Sequence, residues 1–296
     1  MIGVIAQGRL GNQMFQFAFA YTTSKKLNTS FFIHKHNSLH YFNLYEGFEK
    51  KNKRNALHFA FLNVLKKSSI PFSIKSARRP LTYLFNWAIS KNVCIWNNTI
   101  DDKNYLLSKI KNNVLYDGFF QSEEYFNQFQ EDIKNLFEIN KYYQKLFLEK
   151  KQQLLKKKYI AIHLRRNDYL NYGGEELGGT DMTLPISFYK NCISKIKDIG
   201  QYNVIFVSDD IEFAKKEFGN CQNYFYENND EITDFQLLLN ANILIIANST
   251  FSWWAAWLNK KEDKLVFAPK YFIGFKVNKF YPAGIKVDAW NWIDVN

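Results

Sequence analysis

The chain has little of what metal, redox and membrane proteins depend on. Its three cysteines, Cys94, Cys192 and Cys221, lie far apart and form no C-x-x-C. That excludes a disulfide framework and a cysteine-based zinc site, and reads as reduced thiols in a cytoplasmic protein. No D-x-D pair occurs, so the carboxylate couple that commonly holds Mn²⁺ or Mg²⁺ beside a diphosphate is missing. There is no G-x-G-x-x-G and no loop ending in Gly-Lys-Ser/Thr, which removes the dinucleotide and P-loop signatures. No apolar run reaches the roughly 20 residues of a membrane span. The first residues already read as a strand, so no signal peptide is expected. No internal repeat or disordered tail is evident.

What is present is a chain of 296 residues, 47% hydrophobic and 18% aromatic. That is enough for one large or two medium cores. The formal net charge is +11. Such a balance suits nucleic acid, an anionic membrane surface or an acidic substrate. No nucleic-acid motif accompanies it, so a nucleic-acid partner is not expected. The densest basic stretch is Lys50 to Arg79, with nine Lys/Arg and no Asp/Glu. It is interleaved with Leu57, Phe59, Phe61, Leu62, Val64 and Leu65 and reads as a basic amphipathic helix. A solvated helix with one buried face is the preferred account, and peripheral contact with an anionic membrane is the alternative.

Three strand-to-helix turns carry the chemistry. The first follows a strand over Met1 to Ala6: Gln7-Gly8-Arg9-Leu10-Gly11-Asn12-Gln13, then a helix from Met14 to Leu27. Gly8 and Gly11 would permit positive φ and close approach of a ligand to the backbone. The second leaves the apolar strand Tyr159 to Ile162 and gathers His163, Arg165, Arg166 and Asp168. A guanidinium grips phosphate oxygens in pairs and keeps its charge. The third follows the β-branched strand Ile243 to Ala247: Asn248-Ser249-Thr250-Phe251-Ser252, then a helix from Trp253. Hydroxyls and free N–H groups at a helix start favour an anion. Trp253 and Trp254 read as core packing rather than a sugar-stacking platform.

Taken in order, Gly8-x-x-Gly11-Asn12-Gln13-Met14-Phe15-Gln16, His163-x-Arg165-Arg166-x-Asp168 and Asn248-Ser249-Thr250-Phe251-Ser252-Trp253-Trp254 resemble the α-1,2-fucosyltransferases, glycosyltransferase family 11, of bacterial type. Tyr116-Asp117-Gly118-Phe119-Phe120-Gln121 and Phe206-Val207-Ser208-Asp209-Asp210 fit as well. The resemblance runs from Gly8 to about Pro269. Asn167 departs from it, standing where bacterial members usually have Gly. The segment from about Phe48 to Asn112 aligns with nothing in the family.

The resemblance implies a GT-B-like α/β fold, two Rossmann-like domains facing a cleft. The Lys156-Lys157-Lys158 run suggests the boundary, giving an acceptor-side domain over 1–157 and a GDP-fucose-binding domain over 158–296. The extreme C-terminus is free to pack back on the first domain. Strand–helix alternation after Tyr159 argues independently for a parallel sheet. Helices are expected over Ser122 to Lys156, broken near Asn140, and over Pro185 to Asp198, Asp210 to Phe218 and Thr233 to Ala241. Strands are expected at Ser30 to His34, Val114 to Tyr116, Asn203 to Val207, Tyr224 to Tyr226 and Leu265 to Ala268.

The implied reaction is inverting transfer of L-fucose from GDP-β-L-fucose to the 2-hydroxyl of a terminal galactose, in bacterial surface-glycan synthesis. Arg165 should hold the β-phosphate. His163 and Asp209 should meet the guanosine end. Ser249, Thr250 and Ser252 should bind pyrophosphate, with Gly11 also on the donor. Arg166 and Asp168 would brace the site. Asn12, Gln13 and Gln121 are the expected polar contacts to fucose or acceptor. Arg165, Asp168 and Asn12 are the catalytic candidates. The general base stays open among Asp168, Glu175, Glu176 and Asp181. No cofactor and no metal are expected. The acceptor is a galactose-terminated oligosaccharide or lipid-linked glycan, and the location is cytoplasmic or peripheral on the inner face of the membrane. Two alternatives stand beside this: another GDP-fucose-dependent linkage, and a non-catalytic protein binding anionic polymers or membranes. Clustering of the motifs at three turns disfavours the second.

Overall fold

The computed structural model describes residues 1–65, 93–95 and 110–295. The chain divides into two units, Met1–Glu138 and Ile139–Asn296.

In the first unit, β1 (Ile2–Ile5), α1 (Leu10–Lys26), β2 (Phe31–His34), α2 (Phe48–Leu65), β3 (Val93–Ile95), β4 (Val114–Asp117) and α3 (Gln130–Leu136) follow one another. The four strands form a parallel sheet in the order β2-β1-β4-β3. α1 is buried almost all round, and takes Gln13 and Gln16 inside together with its apolar residues. Phe17 meets Phe31, Phe48 and Phe137, and Phe19 stacks on Phe120 with centroids 3.9 Å apart. That stack pins the loop leaving β4 to the helix leaving β1. α2 covers the edge strand β2. Its buried Asn52 accepts from Ile33 N at 2.7 Å and donates to Ile33 O at 3.0 Å, and Asn55 donates to Phe31 O at 2.7 Å. An edge strand's free backbone groups are thereby satisfied. The outward side of α2 exposes Lys50, Lys53, Arg54 and His58 together with Leu57 (61%) and Phe61 (59%). The rest of the basic stretch, with Lys66, Lys67, Arg78 and Arg79, lies outside the described residues.

The second unit contains α4 (Lys141–Lys151), β5 (Tyr159–Leu164), α5 (Ile186–Ser194), β6 (Asn203–Ser208), α6 (Ile211–Phe218), β7 (Tyr224–Glu227), α7 (Glu231–Leu239), β8 (Ile243–Ile245), α8 (Thr250–Leu258), β9 (Leu265–Pro269) and β10 (Asn291–Ile293). All six strands are parallel, in the order β10-β9-β8-β5-β6-β7. β5 is buried along its whole length, as a central parallel strand must be.

The boundary falls about one helix earlier than Lys157. α4 belongs to the second unit because Lys151 pairs with Glu227, Lys150 pairs with Asp230 at 3.3 Å, and Gln236 donates to Tyr143 O at 3.3 Å. The helical run expected over Ser122 to Lys156, broken near Asn140, is several short pieces. Asn140 marks the break as expected: its side chain accepts from Tyr143 N at 3.3 Å and caps the start of α4. The extreme C-terminus forms β10, the edge of the second sheet. Trp253 and Trp254 are fully buried.

Candidate active site

Each sheet contains one place where the chain reverses its direction of travel. In the second sheet the chain moves from β5 to β6 and β7, then returns to β8 on the other side of β5. In the first sheet it moves from β1 out to β2, and β4 lies on the other side of β1. Loops leaving the carboxyl ends of strands at such a point diverge and open a crevice. The second and third motifs leave β5 and β8. The first motif and Gly118–Gln121 leave β1 and β4.

At the exit of β5, Arg165 is clamped. Its Nη2 lies 2.7 and 2.8 Å from the two oxygens of Asp168, and Nη1 is 3.0 Å from Asp209 Oδ2. The Arg165 side chain is 15% exposed, so this is a half-desolvated, pre-set fork. Asp168, expected with Arg166 to brace the site, does so by holding Arg165. Both its oxygens are engaged there, which disfavours it among the candidate bases. Arg166 pairs with Asp210 at 3.3 Å and lies 3.4 Å from the centre of the Phe213 ring. Asp209 was expected at the guanosine end. Its carboxylate accepts from Arg166 N at 2.9 Å, and Asn167 donates to its carbonyl at 2.8 Å. Asp209 therefore sets the shape of the turn and the position of Arg165.

His163 is buried, and its pKa is pushed down to about 3 by burial and then by Arg165. It is neutral at any ordinary pH. Its Nδ1 is buried without a hydrogen-bond partner among the described residues. Its ring sits 5.6 Å from Phe251 in the first turn of α8, which brings the second and third motifs together. Tyr169 makes the same connection. Its ring is 5.7 Å from the Arg165 guanidinium and its hydroxyl donates to Asn248 O at 3.0 Å. Asn248 donates to Met182 O at 2.9 Å, while its buried Oδ1 has no partner among the described residues.

α8 begins at Thr250, earlier than the sequence suggests. It has no side-chain cap and no acidic residue in its first turn, so its first N–H groups suit an anion. The early start turns Ser252 inward. Its hydroxyl is fully buried and lies 3.2 Å from Ser249 O and 3.4 Å from Ala247 O. Ser252 shapes the turn, and Ser249 and Thr250 remain as the residues at its mouth. Glu175 and Glu176 lie in an exposed turn, and exposed Asp181 accepts from Thr183 N at 2.8 Å.

The first unit holds a cluster of amides. Gly8 has φ +69°, the conformation glycine is needed for, and a Cβ there would meet Asn12 Nδ2 at 2.3 Å. Gly11 differs from expectation: it lies in the first turn of α1 and is not among the positive-φ glycines. Gln13 is 2% exposed and fully occupied. It donates to Gly8 O at 3.0 Å and Asn37 Oδ1 at 2.6 Å, and accepts from Asn37 N at 3.0 Å and Ser38 N at 3.1 Å. It braces the loop and offers nothing to an acceptor. Gln121 donates to Asn12 Oδ1 at 2.8 Å, so these two candidates do lie together. Gln16 accepts from Gln7 N and donates to Gly118 O, both at 3.0 Å, and Gln7 donates to Asp117 Oδ1.

Sequence reasoning missed the roles of Tyr169, Asn248, Gln7 and Asp117. Asn248 and Asp117 stood inside quoted motifs. Tyr169 carried the one available signal, an aromatic one helical turn beyond Arg165. Among the described residues no three His, Cys, Asp or Glu converge as metal ligands.

Comparison with known proteins adds a family, two relatives and two solved structures. The family model described as glycosyl transferase family 11 matches residues 1–273. The O-antigen biosynthesis glycosyltransferase WbnK of Escherichia coli is 29% identical, over 96% of this chain and 97% of that one. The alpha-1,2-colitosyltransferase of Escherichia coli is also 29% identical, over 93% of each. Among solved structures, POFUT1 in complex with GDP-fucose aligns with a TM-score of 0.51 at 14% identity, over 90% of this chain and 96% of that chain. NodZ alpha-1,6-fucosyltransferase co-crystallized with GDP aligns with a TM-score of 0.50 at 13% identity, over 86% and 91%. At these identities the structural likeness speaks for the fold, the GT-B class of these fucosyltransferases.

Proposed function

The chain belongs to glycosyl transferase family 11, and on that premise we propose that it moves L-fucose from GDP-β-L-fucose, with inversion, to the 2-hydroxyl of a terminal galactose. The product is an α-1,2-fucoside in a bacterial surface glycan. Glycosyltransferase activity follows from the family itself.

The observation that carries the donor reading is the pairing of Arg165 with the uncapped start of α8. Tyr169 bridges the two, 5.7 Å from the guanidinium and bonded to Asn248 O at 3.0 Å. A diphosphate leaving group needs a fixed cation and oriented N–H groups where its charge develops. Arg165 supplies the first and α8 the second. Asp168 and Asp209 hold the guanidinium so that it need not reorganise. His163 Nδ1 and Asn248 Oδ1 are buried polar atoms awaiting partners, and a polar donor substrate supplies them. As the C1–O bond breaks, the electron pair leaves with GDP, and the acceptor oxygen bonds C1 from the opposite face while its proton passes to a general base.

The reading includes no metal, no other cofactor and no nucleic acid. It includes peripheral contact of α2 with an anionic membrane on the cytoplasmic side, supported by the basic and apolar outward side of that helix. The relative named alpha-1,2-colitosyltransferase favours one second reading, in which the linkage is the same and the donor sugar is colitose. The test of the donor reading is GDP binding in EDTA. A ligand at 100 times its dissociation constant stabilises by about 2.7 kcal/mol, so the melting temperature should rise with GDP and not with NAD. No shift with GDP in EDTA, and a shift restored by Mn²⁺, would contradict it.

A further inference from the structure

Two tyrosines, Tyr169 and Tyr172, follow the Arg165–Asp168 pair in the second unit. Asp168–Asn171 forms a short 3₁₀ turn that Tyr172 ends. In such a turn side chains at i and i+3 eclipse one another. The two rings accordingly stack, with centroids 5.0 Å apart and an interplanar angle of 19°. Tyr169 is the inner ring, buried and 5.7 Å from the Arg165 guanidinium. Tyr172 is the outer ring and is 52% exposed. Tyr169 covers one of its faces, so the exposure falls on the edge and the other face. The tryptophans of α8 offer no such surface, because Trp253 and Trp254 are fully buried. Among the described residues of the second unit the exposed aromatics are Tyr142, on α4, and Tyr172. Tyr172 is the one joined to Arg165 through a stacked ring.

An exposed tyrosine by itself is ordinary. This one is distinguished by how firmly its backbone is held. Leu170 N donates to Arg166 O at 3.0 Å, Met182 N to Tyr169 O at 2.7 Å, and Gly173 N to Thr180 O at 2.8 Å. A Cβ on Gly173 would meet Gly179 O at 2.3 Å, so the chain folds back tightly right after the ring. Partial burial, and then Tyr281 and Asp168, push the Tyr172 pKa up, which sets the ring beside the segment that follows β9. That segment is also fixed. Tyr281 N donates to Tyr271 O at 3.3 Å, and Tyr271 and Phe272 have φ of +67° and +55°. Bulky residues keep such a conformation only where their surroundings enforce it, and strain of this kind gathers at ligand clamps.

Resting on the donor reading above, we propose that Tyr172 is the platform on which the sugar of the donor stacks. The chemical class it selects is a deoxyhexose of galacto configuration linked to a nucleoside diphosphate. With the diphosphate on Arg165 and the start of α8, the sugar begins one bond beyond the β-phosphate, next to the ring that extends the Arg165–Tyr169 contact. In L-fucose the C–H bonds at C3, C4 and C5 share one face, and the methyl group at C6 extends it. That apolar face lies on the open face of Tyr172, while the hydroxyls point away from the ring. An aromatic ring has a large flat area and few torsions to freeze, so a fixed one binds at little entropic cost. Tyr172 holds the sugar and exchanges no proton.

The test compares the full-length protein with Tyr172→Ala, Tyr172→Leu and Tyr172→Phe. Calorimetry gives the affinities for GDP and for GDP-β-L-fucose, and thermal unfolding reports on folding. Tyr172→Ala should bind GDP as the parent does and GDP-fucose about three- to tenfold more weakly, the worth of one stacked ring. Tyr172→Leu keeps Tyr169 covered, guards against unfolding and should show the same split. Tyr172→Phe should keep most of the parent's affinity for GDP-fucose, because the ring and not the hydroxyl makes the contact. A merely structural ring would weaken GDP and GDP-fucose together. That result, or GDP-fucose bound by Tyr172→Ala and Tyr172→Leu as tightly as by the parent, would overturn the assignment. A parent protein that binds GDP yet transfers no fucose to a β-galactoside would overturn the donor reading, and the assignment with it.

Discussion

Arg165 joins charge, burial and geometry in one side chain. Its fork already holds two carboxylates, so removing it does two kinds of damage. Arg165→Ala should lower kcat/KM by about 10²–10³, the usual cost of one strong transition-state contact. It should also lower the melting temperature, because Asp168 and Asp209 would be left close together without their cation. Arg165→Lys keeps the charge but cannot reach both carboxylates and a phosphate as a planar fork does, and should be impaired nearly as much. Steady-state transfer and thermal unfolding measured on both variants check this. A folded Arg165→Ala protein with most of its turnover would contradict it. His163 gives a second expectation at this scale. Its pKa is pushed down to about 3 in the folded protein, below the usual value of about 6.5. Its contribution to stability is therefore present above pH 6.5 and lost as pH falls from there toward 3. His163→Asn should flatten the loss of stability over that window in urea titrations. An unchanged slope would show that His163 is not the group responsible.

Arg165 was legible from the sequence because its type and its place after an apolar strand both point to an anion. Its partners were not. Asp209 is tied to Arg166 across 43 residues of chain, and local spacing says nothing about such a contact. Gly11 and Ser252 lie further inside their helices than the sequence suggests, for one cause. α1 starts at Leu10 and α8 at Thr250, three to four residues before the apolar pattern makes a helix evident. Each residue so absorbed turns by about 100° per step around the helix, and its side chain or backbone no longer faces the turn.

Among the elements, α2 shows how a charge pattern can be read two ways at once. Its inner side, Phe48, Asn52, Asn55, Ala56, Phe59 and Ala60, is buried and satisfies the edge strand. Its outer side keeps Lys50, Lys53 and Arg54 beside exposed Leu57 and Phe61. A helix of this kind lies on an anionic surface with its aromatic and aliphatic groups at the headgroup level. Replacing Lys50, Lys53 and Arg54 with Gln should weaken binding to phosphatidylserine vesicles by roughly one to two orders of magnitude at low salt. Transfer to a soluble galactoside should be unchanged. Equal sedimentation of parent and variant with the vesicles would remove the membrane contact from the account. The strands fared better than the helices in the sequence because short β-branched runs between turns are distinctive. β3 and β10 were the exceptions: Val93–Ile95 and Asn291–Ile293 are each three residues long, too short for any pattern to register.

At the scale of the molecule, two parallel α/β units are what alternating strands and helices with short connections require. The reversal of strand order in each sheet explains why four separate motifs matter. They leave the four strands that flank the two reversal points. The boundary between units was harder to read, because the lysine run at Lys156 is conspicuous in sequence, whereas the contacts that recruit α4 to the second unit are tertiary. No described helix is long and apolar enough to cross a membrane. The central claim concerns chemistry, and product analysis addresses it most directly. The protein is incubated with GDP-β-L-fucose and a β-galactoside in EDTA, and the glycosidic linkage is determined by NMR. The account predicts free GDP and an α-1,2-fucoside in equal amounts without added metal. A protein that binds GDP but forms no fucoside, or forms one at another hydroxyl, would contradict it.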